Sequence, residues 1–293
     1  MSGEFDFIDW IRRQTSAHEH VLVPPGDDLA VLKWPADDLL IVGVDQVLDT
    51  VHFDSAVHPP REIGRKVMNR NLSDCAAMAC LPAAAVATVA LPKSRDIDYA
   101  KQLFLGMKVA AETFDCAIVG GDTASWDAPL AMTVSILGRS SGIAPIRRNG
   151  AKAGNHIYVT GPLGGSILGR HMNFPPRVRE ARQLAKTGIV TAMIDISDGL
   201  SRDLRHICRE SRVGATIHSS EIPIHPDADI LSRQTCRYPI EHALHDGEDY
   251  ELLFTTSEEQ PFGYWIGTIT AGEEIVDEDR AVSMEPKGWE HKL

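Results

Sequence analysis

Apolar residues alternate along the chain between short continuous runs and longer stretches with helical spacing. Leu103, Met107 and Phe114 share one face of a helix predicted over 96–114, and a second helix is predicted from about residue 60 to 79. The short apolar runs predict strands at 30–32, 39–44, 83–91, 116–119, 131–137, 156–160, 192–196, 250–255 and 264–270. Together these patterns predict a mixed fold, α/β or α+β.

A change in composition divides the chain near its middle. Residues 138–154 are rich in Gly, Ser and Arg and separate two sets of predicted strands, which is typical of a domain boundary. A chain of 293 residues is long enough for two ordinary domains. We therefore assign residues 1–139 to an N-terminal domain and residues 140–293 to a C-terminal domain.

The charge of the chain excludes one class of function. A formal net charge of −12 argues against a general nucleic-acid binder, which needs a basic surface to displace counterions. The acidic N-terminus lacks the order of a secretory signal, and no apolar run approaches the length of about 20 residues that spans a bilayer. We therefore expect a cytoplasmic protein with no membrane partner.

Acidic residues occur in five short segments that we place at strand ends or turns. Each has an ordinary explanation by itself: Gly-Asp-Asp and Gly-Gly-Asp are typical of loops, Ser197 or Asp198 could cap a helix, and Asp74 could lie on a solvated helix face. Taken together they favour a site for several Mg²⁺ ions, because each Mg²⁺ takes one or two carboxylates beside water and phosphate oxygens. The segments are 26–28, 44–46, 71–74, 120–123 and 195–199.

Eight segments, in order along nearly the whole chain, resemble the successive motifs of the thiamine-monophosphate kinase family. They are GDDLAVL (26–32), VDQVLDTVHF (44–53), NLSDCAAMA (71–79), GGDTAS (120–125), RNGAKAG (148–154), MIDISDGLSRDL (193–204), DGEDYELLFT (246–255) and KGWEH (287–291). The resemblance implies the two-domain architecture of the aminoimidazole-ribonucleotide synthetase superfamily. An N-terminal domain would dimerise through a β-barrel, and an α/β domain would follow it.

The resemblance also implies a reaction and a set of site residues. The γ-phosphoryl group of ATP would pass to thiamine monophosphate, in a homodimer that binds several Mg²⁺ ions. The matching metal ligands are Asp28, Asp45, Asp74, Asp122, Asp195 and Asp198. The positions that match contacts to ATP are Gly121, Asp122, Arg148 and Ser197. The positions that match contacts to the substrate are His52, Glu248 and Trp289.

The chemistry of this reaction needs charge neutralisation more than proton transfer. A phosphate monoester has a second pKa near 6, so the acceptor is mostly dianionic at neutral pH and we expect no dedicated general base. Catalysis would rest on in-line positioning and on Mg²⁺, with Arg148 as a fork on phosphate and Trp289 as a face for the cationic ring. The chain has no GxxxxGK[ST] sequence, so we expect no P-loop.

Three departures from the family pattern keep other functions open. Gly43 and Val44 stand where the family has small hydroxyl residues, Asp246 stands where it has Gly, and Asn155 stands where it has Asp. One alternative is an ATP-dependent enzyme of the same fold with another small-molecule acceptor. A second alternative is a catalytically silent nucleotide- or metal-binding protein.

Overall fold

The computed structural model describes residues 4–24 and 29–289, without the side chains of residues 4–6 and 9. The predicted ligand Asp28 lies outside the described residues. The chain divides into two compact units, an N-terminal unit of residues 1–75 and 80–142 and a C-terminal unit of residues 76–79 and 143–293. The functional domains 1–139 and 140–293 stay a prediction.

The elements of the N-terminal unit include those that the apolar runs predict, in the predicted order, and begin with a helix and a strand that were not predicted. They are α1 (Glu4–Gln14), β1 (Val21–Val23), β2 (Val31–Leu32), β3 (Leu40–Leu48), α2 (Pro60–Ala77), β4 (Leu81–Pro92), α3 (Ile97–Glu112), β5 (Ala117–Trp126) and β6 (Ala131–Arg139). Within the described residues β3, β6, β4 and β5 form one sheet in that order. Strand β6 is antiparallel to both of its neighbours, and β4 is parallel to β5. In the described residues this sheet has open edges at β3 and β5 and is not closed into a barrel.

Helices α2 and α3 cross at two glycines. A Cβ added at Gly64 would lie 2.0 Å from the Leu103 carbonyl oxygen, and one added at Gly106 would lie 2.0 Å from that of Arg61. Each glycine therefore lets the backbone of the other helix approach, which no larger residue allows. Helix α3 begins at the cap Asp96, whose side chain accepts a hydrogen bond from the Tyr99 amide at 2.9 Å.

Two predicted loops of the N-terminal unit are regular strand instead. Asp45 lies in the middle of β3, and Gly120, Gly121 and Asp122 continue β5, where we predicted a strand end and a loop. The Gly-Gly sequence does not stop the strand because β5 pairs in parallel with β4 as far as Trp126. A Cβ at Gly121 would lie 2.0 Å from the Ala87 carbonyl oxygen, so glycine here permits the close pairing.

The C-terminal unit is built on a larger sheet. Its elements are β7 (His156–Val159), a 3₁₀ turn (Ser166–Leu168), α4 (Arg170–Asn173), α5 (Val178–Lys186), β8 (Val190–Asp195), α6 (Leu200–Ser211), β9 (Gly214–Ile217), a 3₁₀ turn (Ser219–Glu221), α7 (Pro226–Thr235), α8 (Pro239–His245), β10 (Leu252–Thr256), β11 (Tyr264–Thr270), β12 (Ile275–Asp277) and β13 (Val282–Ser283). Within the described residues the strand order is β13-β12-β9-β11-β7-β10-β8, antiparallel except for β12 beside β9. Leu204 and Ile207 of α6 pack in its core with Ile157, Val159 and Leu253 from the central strands.

Helix α6 begins in a way that the sequence did not reveal. We considered Ser197 or Asp198 as its cap, but the cap residue is Gly199, with φ 111°. The Asp203 carboxylate reaches back and accepts hydrogen bonds from the amides of Asp198 and Gly199, both at 3.1 Å. The Asp203 side chain therefore caps these amides, and we had considered Ser197 or Asp198 for this role.

None of the helices in the described part of the chain combines the length and the apolar character that crossing a bilayer requires.

Candidate functional site

The turn between β8 and α6 is the centre of the candidate site in the C-terminal unit. Strand β8 ends at the buried Asp195, and residues 196–199 lead into α6. The loop 246–251 pairs with this turn through its backbone. The Ile196 amide donates to the Glu251 carbonyl, and the Tyr250 and Glu248 amides donate to the Ile196 and Ser197 carbonyls, each at 2.8 Å.

Residues 287–289, at the C-terminal end of the described residues, form a third segment that contacts the same turn. The Trp289 amide donates to the Asp198 carbonyl at 3.0 Å, and a Cβ added at Gly288 would lie only 2.3 Å from that oxygen. Ser201 of α6 donates through its hydroxyl to the Lys287 carbonyl at 2.5 Å. The structure thus brings Ser197, Asp198, Glu248 and Trp289 together at one turn, although they are far apart in the sequence.

Acidic groups crowd the start of α6. Asp203 is 1% exposed, and its burial, followed by the charges of Asp195 and Asp198, raises its pKa well above the ordinary carboxyl value. Ligand atoms of Asp198, Asp203 and His206 all lie within 4.8 Å of one another. A bound cation would relieve this repulsion, and carboxylate oxygens are the ligands that Mg²⁺ prefers, so the residues of this turn fit the ion.

Arg148 supplies positive charge near the same carboxylates. Burial and then the Arg148 charge lower the pKa of His206, while Asp198 raises it, which places these side chains within electrostatic reach of one another. The Arg148 carbonyl accepts a hydrogen bond from the Ser211 hydroxyl at 2.9 Å. The Arg148 side chain is exposed, but its backbone is fixed against the end of α6.

Glu248 is held on two sides. The Nδ1 atom of His171 lies 3.1 Å from one of its carboxylate oxygens, and the Tyr250 hydroxyl lies 3.3 Å from the other. Its side chain keeps 21% of its surface exposed. A carboxylate held in this way can accept a hydrogen bond from a ligand or face a cation.

In the N-terminal unit, Asp45 projects from one face of the sheet, and Asp74 of helix α2 lies over the same face. Arg70 of α2 donates to both carboxylate oxygens of Asp45, from Nε at 2.5 Å and from a terminal nitrogen at 3.2 Å. A Cβ at Gly43 would lie 4.0 Å from an Asp74 carboxylate oxygen, and Gly43 shares the Asp45 face by strand alternation. The helix α2 therefore brings one carboxylate and one guanidinium to strand β3.

Asp122 lies in a different row of the same sheet. Asp45 pairs with Val134, whose row continues through Ala87 to Gly121. The adjacent row joins Gln46, Thr133, Thr88 and Asp122. Since successive side chains alternate between faces, Asp122 projects from the face opposite to Asp45. The structure brings Asp45 and Asp74 together but does not bring Asp122 to them.

His52 follows β3 in a tightly bonded turn. Its Nδ1 accepts a hydrogen bond from the Leu48 amide at 3.0 Å, so the neutral ring carries its hydrogen on Nε2. Its carbonyl accepts a hydrogen bond from the ammonium of Lys66 at 2.5 Å, although Lys66 is fully buried. His52 is therefore fixed in orientation and tautomer before any ligand arrives.

Several residues around these sites were not found by our sequence reasoning. Asp203 lies within the quoted motif and could have been noticed from its position one turn into α6. The partners of the predicted residues gave no signal, because side chains far apart in sequence meet only in the fold. The residues missed are Lys66, Arg70, His171, Asp203 and His206.

Comparison with known proteins decides the family. The model of the AIR synthase related protein N-terminal domain matches residues 26–140, and that of the C-terminal domain matches residues 135–276. Thiamine-monophosphate kinase from Rhodopirellula baltica is 39% identical over 264 residues, which cover 88% of this chain and 83% of that protein. The chain belongs to the thiamine-monophosphate kinase family.

Solved structures of the thiamine-monophosphate kinase family share the fold over almost the whole length. The crystal structure of the enzyme from Stenotrophomonas maltophilia K279a is 30% identical, covers 96% of this chain and 98% of its own, and has a TM-score of 0.82. A structure of AaThiL complexed with AMPPCP and TMP is 29% identical, covers 99% of this chain and 97% of its own, and has a TM-score of 0.80.

The structure accounts for two of the departures from the thiamine-monophosphate kinase pattern. Asp246 has φ −75°, which needs no glycine, and its carboxylate pairs with His242 at 2.7 Å. Asn155 braces a turn: its side-chain oxygen accepts hydrogen bonds from the Lys152 amide at 2.9 Å and the Thr191 hydroxyl at 2.7 Å. Both residues therefore have structural partners of their own.

The third departure leaves space beside a predicted ligand. A Cβ at Gly43 would meet Ile136 at 3.6 Å, which is an ordinary van der Waals contact. Val44 is 64% exposed and lies on the opposite face of β3. The strand could therefore hold a small hydroxyl residue at position 43, and this chain has none there.

Proposed function

We propose that this chain transfers the γ-phosphoryl group of ATP to the phosphate of thiamine monophosphate, which gives thiamine diphosphate and ADP. The observation that carries the proposal is the convergence of three segments at the β8–α6 turn. That turn carries Asp195 and Asp198, and it is hydrogen-bonded to the segments that carry Glu248 and Trp289. In a chain of this family, this backbone network would join the residues that bind nucleotide and metal to the residues that bind the acceptor.

The carboxylates of both units would hold the Mg²⁺ ions. In the C-terminal unit these are Asp195 and Asp198, with Asp203 behind them. In the N-terminal unit they are Asp28, Asp45, Asp74 and Asp122, a set inferred from the family resemblance. Two phosphate charges about 4 Å apart repel by roughly 4 kcal/mol at an effective dielectric of 20, and bound Mg²⁺ supplies the charge that offsets this repulsion.

The remaining predicted site residues would bind and orient ATP and the acceptor. Arg148 would contact the ATP phosphates as a planar fork, and Gly121 and Ser197 would contact the nucleotide through backbone or hydroxyl groups. His52 would donate from Nε2, as its tautomer requires. Trp289 is 49% exposed and would offer its ring to the cationic thiazolium of the acceptor. The acceptor phosphate is already ionised at neutral pH, so the reaction needs no general base.

The proposal includes a homodimer formed by the N-terminal unit. Leu40, Val42 and Val44 of the edge strand β3 are 52%, 66% and 64% exposed and lie on one face. A second copy of the sheet would cover this face and pair its open edges into a barrel. Val42→Asp should convert the dimer to a monomer in sedimentation, and a wild-type monomer would contradict this part. The proposal also places the dimer in the cytoplasm and gives residues 1–139 the dimerising role, with residues 140–293 as the α/β domain.

A comparison of acceptors tests the reaction. Purified protein with ATP and Mg²⁺ is incubated with thiamine monophosphate, thiamine or another phosphate monoester, and the products are separated by chromatography. We expect thiamine diphosphate and stoichiometric ADP from thiamine monophosphate alone. Turnover of a different acceptor would favour another enzyme of the same fold, and no turnover with any acceptor would favour a silent binding protein.

A further inference from the structure

One short segment holds the loop that carries Glu248. We call residues 246–251 the acceptor loop and residues 170–174 the clamp segment. Three side chains of the clamp segment each contact one of three consecutive residues of the acceptor loop. The contacts are Arg170 with Asp249 at 3.0 Å, His171 with Glu248 at 3.1 Å, and the Phe174 ring stacked on Tyr250 with centroids 3.7 Å apart.

The acceptor loop needs such support because its backbone is strained. Glu248 has φ 61° and Tyr250 has φ 53°, both in the left-handed region that non-glycine residues rarely occupy. Strained residues of this kind cluster at ligand-binding loops, where the surrounding structure fixes them. Here the fixing groups are the clamp segment on one side and the backbone of residues 196 and 197 on the other.

The pairing with Glu248 is directional. A carboxylate only accepts hydrogen bonds, so the Nδ1 atom of His171 carries the hydrogen in this pair. The Tyr250 hydroxyl donates to the other carboxylate oxygen. His171 is 3% exposed, which gives its ring no room to reorient and makes it a fixed donor. The plane of the Glu248 carboxylate is therefore set by His171 and Tyr250 before a ligand binds.

We propose that His171 is a positioning residue for the acceptor: it fixes the orientation in which the Glu248 carboxylate binds the acceptor molecule. This inference rests on the proposed function. Glu248 is bonded to the nucleotide-and-metal turn through its backbone amide, whereas its carboxylate contacts His171 and Tyr250. His171 therefore acts on acceptor binding and leaves nucleotide binding unchanged.

Two substitutions at position 171 separate this role from a general packing role. His171→Leu fills much of the space and removes the donor. His171→Asn is the rescue variant, because its amide nitrogen can take the position of Nδ1. The control is His218→Leu, since His218 is partly buried and also pairs through Nδ1 with a carboxylate, that of Asp279 at 3.4 Å, and neither residue belongs to the acceptor loop.

The readouts are KM for thiamine monophosphate, KM for ATP, the calorimetric Kd for thiamine monophosphate, and Tm. In His171→Leu we expect KM and Kd for thiamine monophosphate to rise about tenfold, which corresponds to about 1.4 kcal/mol, with KM for ATP within about twofold. His171→Asn should recover most of the loss. His218→Leu should lower Tm without changing KM for thiamine monophosphate.

Several results would overturn the inference. An unchanged KM for thiamine monophosphate in His171→Leu would do so, as would equal rises for both substrates or no recovery in His171→Asn. If His171→Leu does not fold, Tyr250→Phe replaces it: that variant keeps the ring stack and removes the second donor, and its KM for thiamine monophosphate alone should rise about threefold. An inactive wild-type protein would instead overturn the proposed function.

Discussion

The two structural units present their predicted site residues in different ways. In the N-terminal unit, Asp45, Asp74 and Asp122 project from regular elements, the strands β3 and β5 and the helix α2. In the C-terminal unit, Ser197, Asp198, Glu248 and Trp289 belong to irregular segments that hydrogen-bond to one another through their backbones.

Because of this difference, we expect the two units to respond differently to amino-acid substitutions. A residue on a regular strand depends on register, which many pairs of the sheet maintain together. A residue in the β8–α6 turn depends on a few backbone contacts, some of which only glycine permits. We therefore expect substitutions in the N-terminal unit to affect chemistry alone, and those in the C-terminal unit to affect chemistry and stability together.

The largest effect is expected from removing the charge of one predicted metal ligand in each unit. Asp122→Asn and Asp198→Asn should each lower kcat by about a hundredfold or more, equivalent to about 2.7 kcal/mol, because a ligand of the phosphate-bound cation is weakened. Their stabilities should differ. Without metal, Asp198→Asn should raise Tm by about 1–3 °C because the buried Asp203 loses a repelling neighbour, whereas the exposed Asp122→Asn should leave Tm unchanged.

Steady-state kinetics and thermal denaturation in EDTA test this pair. Wild-type kcat in either variant would remove that aspartate from the site. A lower Tm in Asp198→Asn would contradict the electrostatic contrast between the units.

An intermediate effect is expected from glycines. A Cβ at Gly247 would lie 2.5 Å from the Ser197 carbonyl oxygen, so Gly247→Ala should push the acceptor loop from the turn, cost about 2 kcal/mol and lower Tm by about 5 °C. Gly43→Ala in β3 is the matched control. Its Cβ would meet only ordinary contacts, so its unfolding free energy should change by less than about 1 kcal/mol.

Denaturant titration measures both glycine variants under the same conditions. Equal losses of stability would show that the irregular turn is no more restrictive than the strand.

The smallest effect per step, up to about 1.4 kcal/mol for each pH unit, is expected in the pH dependence of stability. Burial raises the pKa of Asp249 to about 7, and the Arg170 charge opposes the rise. The folded state therefore holds a proton that the unfolded chain releases near pH 4, so this carboxyl makes folding less favourable as pH rises from about 4 to 7. Asp249→Asn removes that dependence.

Unfolding free energies at pH 5, 6, 7 and 8 give the comparison. The wild-type value should fall relative to Asp249→Asn by up to about 1.4 kcal/mol per pH unit below pH 7 and then level off. Asp127→Asn, an exposed carboxylate of the N-terminal unit, controls for the loss of one charge. A constant difference from pH 5 to 8 would contradict the raised pKa.

Local sequence patterns were enough to predict the family, the mixed fold and the order of most elements. Apolar spacing was enough for helix α3 and for strands such as β6 and β7, because burial of one face imposes a period that can be read locally. Eight motifs in order were enough for the family, since their spacing reflects one fold.

Contacts between residues that are distant in the sequence could be identified only from the folded chain. Asp122 continues a strand that its Gly-Gly sequence seemed to end, because pairing with β4 outweighs the local preference for a turn. Asp203 caps α6 where Ser197 or Asp198 had been considered. His171 and Glu248 are far apart in sequence and in contact in the fold, and no local pattern encodes such a pair because its energy depends on burial that other parts of the chain provide.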